Sequence, residues 1–145
     1  MNKGATLYER GGVLFFSSSS LTTDGVWIES DPLLRMEPGS TPSAIGEAVV
    51  KVLGASRNLV PHPTDWSGLI APLLQLAGVK SWSTFMKRTD CVAFRQDGDK
   101  LQMIPHRNLG KGGFEPIVEQ IAELPFPSSP GDIGKAVLDS LAHCA

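Results

Sequence analysis

The sequence predicts an α+β domain in which a mainly antiparallel sheet, built from β-meanders, is covered by two or three helices. Short apolar stretches are separated by turn signals such as Asp24-Gly25 and Asp97-Gly98, which is typical of antiparallel strands. Two segments with the spacing of amphipathic helices follow separate groups of strands. Because strands and helices occur in groups, the pattern favours a sheet with helices packed on it.

The two helical segments repeat one another. Residues 41–53 and 129–141 share Pro, Ile, Gly, Ala, Val and Leu at six corresponding positions. Each copy follows an apolar run and a turn, so each predicts a unit of strand, tight turn and helix. Glycine inside a helix costs about 1 kcal/mol relative to alanine. Gly46 and Gly134 therefore predict close approach of the helices to the sheet.

The N-terminal part predicts strands followed by the first repeat helix. A β-meander is expected over residues 5–30. Asp31-Pro32 is expected to break the chain before a short strand at residues 33–37. Thr41 can then cap the first repeat helix, because its hydroxyl can accept a hydrogen bond from a backbone N–H of the first turn.

The middle of the chain predicts a helix followed by a strand. Asp65 can cap a second helical region that runs to Leu76. Pro72 lies inside this region and predicts a kink or two short pieces. Residues 80–87 alternate in polarity and predict a strand.

The later part of the chain predicts a hairpin and a second strand–helix unit. Residues 91–96 and 100–105 are expected to pair across the Asp97-Gly98 turn. Residues 119–126 have an ambiguous pattern, and their position before the second repeat favours a strand. Ser129 is expected to cap the last helix.

Length and composition bound the class of protein. A chain of 145 residues predicts a single domain over residues 1–145. A net charge of −2 is too small to predict a nucleic-acid or membrane partner. Two cysteines, Cys91 and Cys144, form no disulfide framework, and neither a signal peptide nor a membrane-spanning run is evident. A cytoplasmic location is therefore expected.

No residue pattern predicts catalysis, a metal or a cofactor. His62, His106 and His143 have no metal-ligand spacing with one another or with the cysteines. Cys91 is expected to be a small buried side chain, and a thiol nucleophile partnered by His106 is the alternative. The glycine-rich stretch at residues 110–113 lacks the strand, helix and spacing of a phosphate-binding loop.

Charge is distributed unevenly. Residues 57–113 contain eight bases and four acids, whereas residues 114–145 contain five acids and one base. Glu115, Glu119 and Glu123 are four residues apart and would share one side of a regular element. Two interpretations remain open, namely ordinary solvent-facing residues or an acidic face for a basic partner.

The three tryptophans divide into two groups. Trp27 and Trp82 lie on predicted strands and are expected in the core. Trp66 follows a proline-rich loop and is the best candidate for an exposed anchor, since tryptophan is enriched among the residues that dominate interfaces.

Several segments resemble the immunity proteins of contact-dependent growth inhibition systems, the CdiI family. The resemblance extends from about residue 25 to the C-terminal repeat. It lies in residues 33–37 leading into Ile45-Gly46-Glu47-Ala48-Val49, then Leu53 and Ala55-Ser56-Arg57, in residues 78–82 with Phe85, and in Leu124-Pro125 leading into Ile133-Gly134-Lys135-Ala136-Val137. In this family, the immunity protein binds a toxin domain delivered by a neighbouring cell, often a nuclease, and blocks its active site or substrate surface.

The resemblance implies a cytoplasmic inhibitor that is not an enzyme. Its expected partner is the C-terminal domain of the cognate toxin, bound by a monomer in a one-to-one complex without direct contact to nucleic acid or membrane. Nuclease toxins are basic because they bind phosphates, so acidic residues on the inhibitor would steer association. The predicted partner-binding residues are Asp24, Glu29, Asp31, Trp66, Glu115, Glu119 and Glu123.

The basic middle segment supports an alternative function. An RNA-binding or ribosome-associated module would use a group of positively charged side chains to contact phosphates. The candidates are Lys87, Arg88, Arg95, Arg107 and Lys111.

Overall fold

A mainly antiparallel sheet covered by helices organises the chain, as predicted, and the helices lie on both of its faces. The computed structural model describes residues 2–145, apart from the side chain of Ser67. The strands of the described chain are β1 (Asn2–Arg10), β2 (Val13–Leu21), β3 (Trp27–Met36), β4 (Thr89–Asp97), β5 (Lys100–Asn108), β6 (Phe114–Pro116) and β7 (Ala122–Pro125). Their order across the sheet is β3-β2-β1-β4-β5-β6, and β7 pairs with the other end of β5.

The helices of the described residues are α1 (Pro42–Gly54), α2 (Ser67–Ala77), α3 (Trp82–Met86) and α4 (Pro130–Ala142). The caps expected for the two repeat helices are present. The hydroxyl of Thr41 accepts a hydrogen bond from the Ala44 N–H at 3.2 Å, and that of Ser129 accepts one from the Asp132 N–H at 3.1 Å. None of these helices is long and apolar enough to cross a membrane.

The repeat glycines allow the two helices to touch each other, which corrects the expectation of a close helix–sheet contact. A Cβ atom on Gly46 would lie 1.9 Å from the carbonyl oxygen of Pro130, and one on Gly134 would lie 1.8 Å from that of Pro42. Each glycine therefore faces the first residue of the other helix. Only a residue without a side chain fits at such a backbone contact.

One core lies between the sheet and the α1–α4 pair. The side chains of Phe16, Val49, Phe94, Ile133 and Val137 are fully buried there. They come from alternate positions of the strands and from one stripe of each helix, which is the pattern expected of a sheet covered by amphipathic helices. We call this side of the sheet the helix-covered face.

Asp31-Pro32 does not end a strand, contrary to the sequence prediction. β3 continues through it from Trp27 to Met36, and the peptide bond before Pro32 is cis. Pairing with β2 shifts between Ser17 and Ser18, so that Asp31 and Pro32 lie in a bulge. A bulge accommodates proline because no ladder hydrogen bond is required from its missing N–H.

Residues 80–87 do not form the predicted strand. Trp82–Met86 is a short helix, and the hydroxyl of its cap, Ser81, accepts a hydrogen bond from the Thr84 N–H at 3.2 Å. Phe85 and Met86 are buried. Apolar residues at positions 82, 85 and 86 fit helical spacing as well as alternation, and the serine cap decides between them.

Two further boundaries differ from expectation. Trp66 rather than Asp65 occupies the cap position of α2, which is one helix with Pro72 inside it rather than two pieces. Only Ala122–Pro125 of the predicted 119–126 strand pairs as a strand, and a 3₁₀ turn occupies Val118–Gln120. The predicted hairpin is confirmed as β4 and β5, in which Asp97 is opposite Lys100.

Candidate functional site

The side of the sheet opposite α1 and α4 is only partly covered. α2 and α3 pack over one end of it, where Tyr8, Phe15, Leu73, Phe85 and Cys91 form a second, smaller core. The remainder bears polar side chains and clefts lined by aromatic residues. We call this whole side the open face, and it is the candidate binding surface.

A continuous row of directly paired residues crosses the open face from β3 to β7. Directly opposed residues of neighbouring strands point to the same side of a sheet. The row, which we call the polar row, consists of Glu29, Ser19, Gly4, Arg95, Gln102 and Glu123. Two of the predicted binding carboxylates, Glu29 and Glu123, therefore lie at opposite ends of one row.

The centre of the polar row holds a stacked guanidinium. The Arg95 Cζ atom lies 4.4 Å from the centroid of the Trp27 ring, and its Nη1 donates to the Phe94 carbonyl at 2.8 Å. Gly4 makes room for this pair, since a Cβ there would lie 2.8 Å from the indole. Burial lowers the pKa of Arg95. Within residues 2–145, no carboxylate oxygen lies within 4.0 Å of this guanidinium.

The two ends of the polar row differ in environment. Glu123 is exposed on β7 and accepts a hydrogen bond from Gln102 Nε2 at 3.1 Å. Glu29 is half-buried and accepts one from the Tyr8 hydroxyl at 2.7 Å. Burial raises the pKa of Glu29, and the hydrogen bond from Tyr8 opposes that shift. Burial is also the main reason that the pKa of Tyr8 is raised well above its ordinary value.

An aromatic cleft opens between β3, α2 and α3 next to Glu29. All three tryptophans line it, together with Tyr8, Ile28, Glu29, Leu69 and Ile70. The Tyr8 and Trp82 rings meet edge to face with centroids 6.0 Å apart. Trp66 is 48% exposed and packs edge-on against His62, with the centroids 5.1 Å apart. Trp27 and Trp82 are half-buried cleft walls, which corrects their predicted place in the core.

The other predicted acids lie around the open face or away from it. Asp24 is in the turn before β3, where its Oδ2 lies 3.7 Å from His62 Nδ1, and Asp31 is exposed in the β3 bulge. Glu119 is exposed in the 3₁₀ turn. Glu115 on β6 pairs with Arg107 at 3.0 Å, and strand alternation directs both of them away from the polar row.

The cysteine environment disfavours the thiol-nucleophile alternative. Burial raises the pKa of Cys91 well above its ordinary value and, to a lesser extent, that of Cys144, whose Sγ donates to the Cys91 carbonyl at 3.4 Å. A reactive thiol needs the opposite shift. His106 Nδ1 lies 2.9 Å from the Ile104 carbonyl oxygen, and burial lowers the pKa of this imidazole. Across residues 2–145, no group of three or more His, Cys, Asp or Glu could hold a metal ion.

Comparison with known proteins identifies the family. A family described as CDI immunity protein, CdiI, matches residues 31–144. The chain belongs to the CdiI family. The resemblance seen in the sequence is therefore confirmed, whereas no curated protein matches this CdiI chain.

Solved structures share the fold of this CdiI protein at low sequence identity. A protein of unknown function from Neisseria meningitidis has a TM-score of 0.85 and 17% identity, and the match covers 100% of this chain and 96% of that one. A chain of a CdiA-CT/CdiI toxin and immunity complex from Yersinia pseudotuberculosis has a TM-score of 0.84 and 14% identity, with 100% and 98% covered.

Proposed function

We propose that this CdiI protein binds a cognate toxin domain and neutralises it by covering its active site or substrate surface. The observation that carries the proposal is the family match over residues 31–144. The similar Yersinia pseudotuberculosis structure is a complex of a toxin with its immunity protein. Inhibition by one-to-one binding in the cytoplasm uses no catalytic group of the inhibitor, so we propose that this protein is not an enzyme.

We further propose that the toxin is a nuclease with a basic substrate surface. Such a surface would be attracted to carboxylates on the inhibitor, which raise the association rate more than they raise the affinity. Asp24, Glu29 and Asp31 lie in or immediately before β3. Glu123 lies at the far end of the same polar row. This distribution supports contact through the open face.

The β3 side of the open face is the better candidate for the centre of the contact. It combines the three acids with the exposed ring of Trp66 and the aromatic cleft. Aromatic anchors beside partly desolvated polar groups are typical of residues that dominate binding energy. We propose Glu119 and Glu123 as peripheral contacts, and Glu115 as the weakest candidate because it pairs with Arg107.

Co-expression with the toxin domain encoded immediately upstream tests the function. We expect the protein to protect cells and to elute with the toxin as a one-to-one complex on gel filtration with light scattering. A toxin from an unrelated system, co-expressed in the same way, is the control and should remain active. Loss of viability together with separate elution of the two proteins would contradict the proposal.

RNA binding remains the alternative because three cations line a single cleft. Lys87, Arg88 and Lys111 surround it beside Trp82. The other two basic candidates are not part of that cleft, since Arg95 stacks on Trp27 and Arg107 pairs with Glu115. RNA binding that falls steeply as salt rises from about 50 mM would favour the alternative. Absence of binding at that salt concentration would exclude it.

A further inference from the structure

The aromatic cleft concentrates residue types that are rare in this chain. The sequence contains three tryptophans and one tyrosine, and all four line this cleft. Their positions are far apart in the sequence: Tyr8 is on β1, Trp27 begins β3, Trp66 precedes α2 and Trp82 begins α3. The fold therefore assembles a set of ring surfaces around one opening.

A carboxylate lies in the same cleft without a positive partner. Glu29 accepts a hydrogen bond from the Tyr8 hydroxyl at 2.7 Å. Within residues 2–145, no Lys, Arg or His nitrogen lies within 4.0 Å of the Glu29 carboxylate. Glu29 is half-buried, and this burial raises the pKa of its carboxyl group, as expected of an incompletely solvated negative charge. A cation entering the cleft would supply the interaction that solvent does not.

Ring faces are themselves attractive to cations, because their quadrupole places negative potential above the ring. The protein already uses this interaction, in one case on a ring that lines the cleft itself. The Arg95 Cζ lies 4.4 Å from the Trp27 centroid, and the Arg35 Cζ lies 5.7 Å from that of Phe15. Rings and a carboxylate together favour a positively charged group over an anion or a purely aliphatic side chain. An aliphatic group would bury the Glu29 charge further without pairing it.

We infer that the aromatic cleft receives a single lysine or arginine side chain of the toxin, with Glu29 as its counter-charge and the Trp66 and Trp82 rings as its walls. The inference rests on the proposed immunity function and assigns its specificity to one contact. Trp66, at 48% exposure, is the wall that an incoming side chain can reach without moving the core. Trp82 is supported from behind by stacking on Phe85, with centroids 5.4 Å apart.

Titration calorimetry of this protein with the purified upstream toxin domain tests this contact. We expect Glu29→Gln, which keeps the shape and removes the charge, to weaken binding about tenfold or more, as for a desolvated charge pair at an interface. Trp66→Ala should weaken it by a similar factor. Glu47→Gln removes an exposed carboxylate on α1, on the other side of the sheet, and should remain within about twofold of wild type. Melting curves of each variant establish that it is folded.

A double-mutant cycle identifies the toxin side chain. Each exposed Lys or Arg of the toxin is replaced by Ala and titrated against wild type and Glu29→Gln. At one toxin position, replacement by Ala should lower the affinity for wild type about tenfold and the affinity for Glu29→Gln only slightly. The effects of substituting two groups that pair with each other are not additive. If wild type binds and Glu29→Gln binds equally well, or if no toxin cation couples to Glu29, the inference is wrong and the proposed function stands. If wild type does not bind the toxin, the proposed function itself fails.

Discussion

The two faces of the sheet are built on different principles. The helix-covered face has a continuous apolar core, and its central side chains, such as Phe94 and Val137, are fully buried. The open face carries the polar row, the stacked Arg95 and the half-buried Glu29. Buried charge without a counter-charge does not stabilise a fold. We therefore propose that the helix-covered face provides most of the stability and that the open face binds the partner.

The largest expected effect concerns the crossing of α1 and α4. Gly46→Ala places a Cβ 1.9 Å from the Pro130 carbonyl oxygen, and that atom belongs to backbone that cannot rotate away. The helices must separate, so we expect a loss of about 3 kcal/mol or more in the free energy of unfolding. Urea denaturation followed by circular dichroism measures it.

The matched control is Gly54→Ala in the same helix. No atom lies within 4 Å of a Cβ built there, and its backbone is not left-handed. The variant should be as stable as wild type or up to about 1 kcal/mol more stable, because alanine favours helix. Equal stability of Gly46→Ala and Gly54→Ala would refute the role assigned to the crossing.

A slightly smaller effect is expected from truncation in the core. Ile133 is 0% exposed, so Ile133→Ala should lower the free energy of unfolding by about 2–5 kcal/mol through lost contacts and a cavity. Val118 is 69% exposed, and Val118→Ala should change it by less than about 0.5 kcal/mol. Thermal melts of the two variants compare them. A small effect at Ile133 would mean that the helix-covered face is not the main source of stability.

The open face should affect how the stability of the protein depends on pH. Burial raises the pKa of Glu29 in the folded state, so the folded protein binds more protons than the unfolded one at pH values above the ordinary pKa of glutamate. Stability is therefore lost as pH rises through that window. Glu29→Gln has no carboxyl group at this position and does not lose this stability. The melting temperature of the variant minus that of wild type should therefore increase as the pH rises from about 4 to about 7.

The pKa of Asp90 is also raised, chiefly by burial. Because Asp90 is present in both wild type and Glu29→Gln, its effect cancels from the difference in melting temperature between them. The change in stability caused by Glu29→Gln should be much smaller than the loss in the free energy of unfolding caused by Ile133→Ala. A pH-independent difference between Glu29→Gln and wild type would show that the Glu29 carboxylate is not destabilised in the folded protein.

The smallest expected effect is on association kinetics at the rim of the open face. Glu123 is exposed at the end of the polar row, and Glu123→Lys should slow association with the toxin by a few-fold, about two- to tenfold, at low salt and little at high salt. Glu115→Lys should have less effect, because Glu115 pairs with Arg107 and points away from the row. Stopped-flow fluorescence at two ionic strengths measures both rates. A larger effect at Glu115 would reverse the proposed orientation of the complex.

Local sequence patterns are sufficient to predict the elements that form the helix-covered face. The repeated caps, the apolar stripes of α1 and α4 and the hairpin turn are all determined by residues within a few positions of one another. The exception is the pair Gly46 and Gly134. Gly46 approaches Pro130 and Gly134 approaches Pro42, so each contact joins the two repeat helices, whose corresponding positions are 88 residues apart in the sequence. Sequence spacing marked these positions as special without indicating the partner.

The open face could not be predicted in the same way. Gly4, Arg95 and Trp27 meet only because β1 pairs with both β2 and β4, and the β1–β4 register joins Gly4 to Arg95, which follows it 91 positions later. No local pattern specifies that register. The aromatic cleft depends on the same long-range pairing, and residues 80–87 predict a strand where the structure has the short helix Trp82–Met86. The sequence singles out Glu29 and Trp66 individually as candidate binding residues, but only the fold places them in one cleft.

One matched pair of substitutions tests the division between the faces most directly. Trp66 on the open face and Leu138 on α4 are both large apolar residues with similar exposure, 48% and 44%. Titration of the toxin domain into Trp66→Ala and Leu138→Ala compares the two faces through side chains of similar fractional exposure. We expect Trp66→Ala to weaken binding about tenfold or more and Leu138→Ala to stay within about twofold of wild type. Weaker binding by Leu138→Ala with unchanged binding by Trp66→Ala would place the toxin on the helix-covered side and contradict the account.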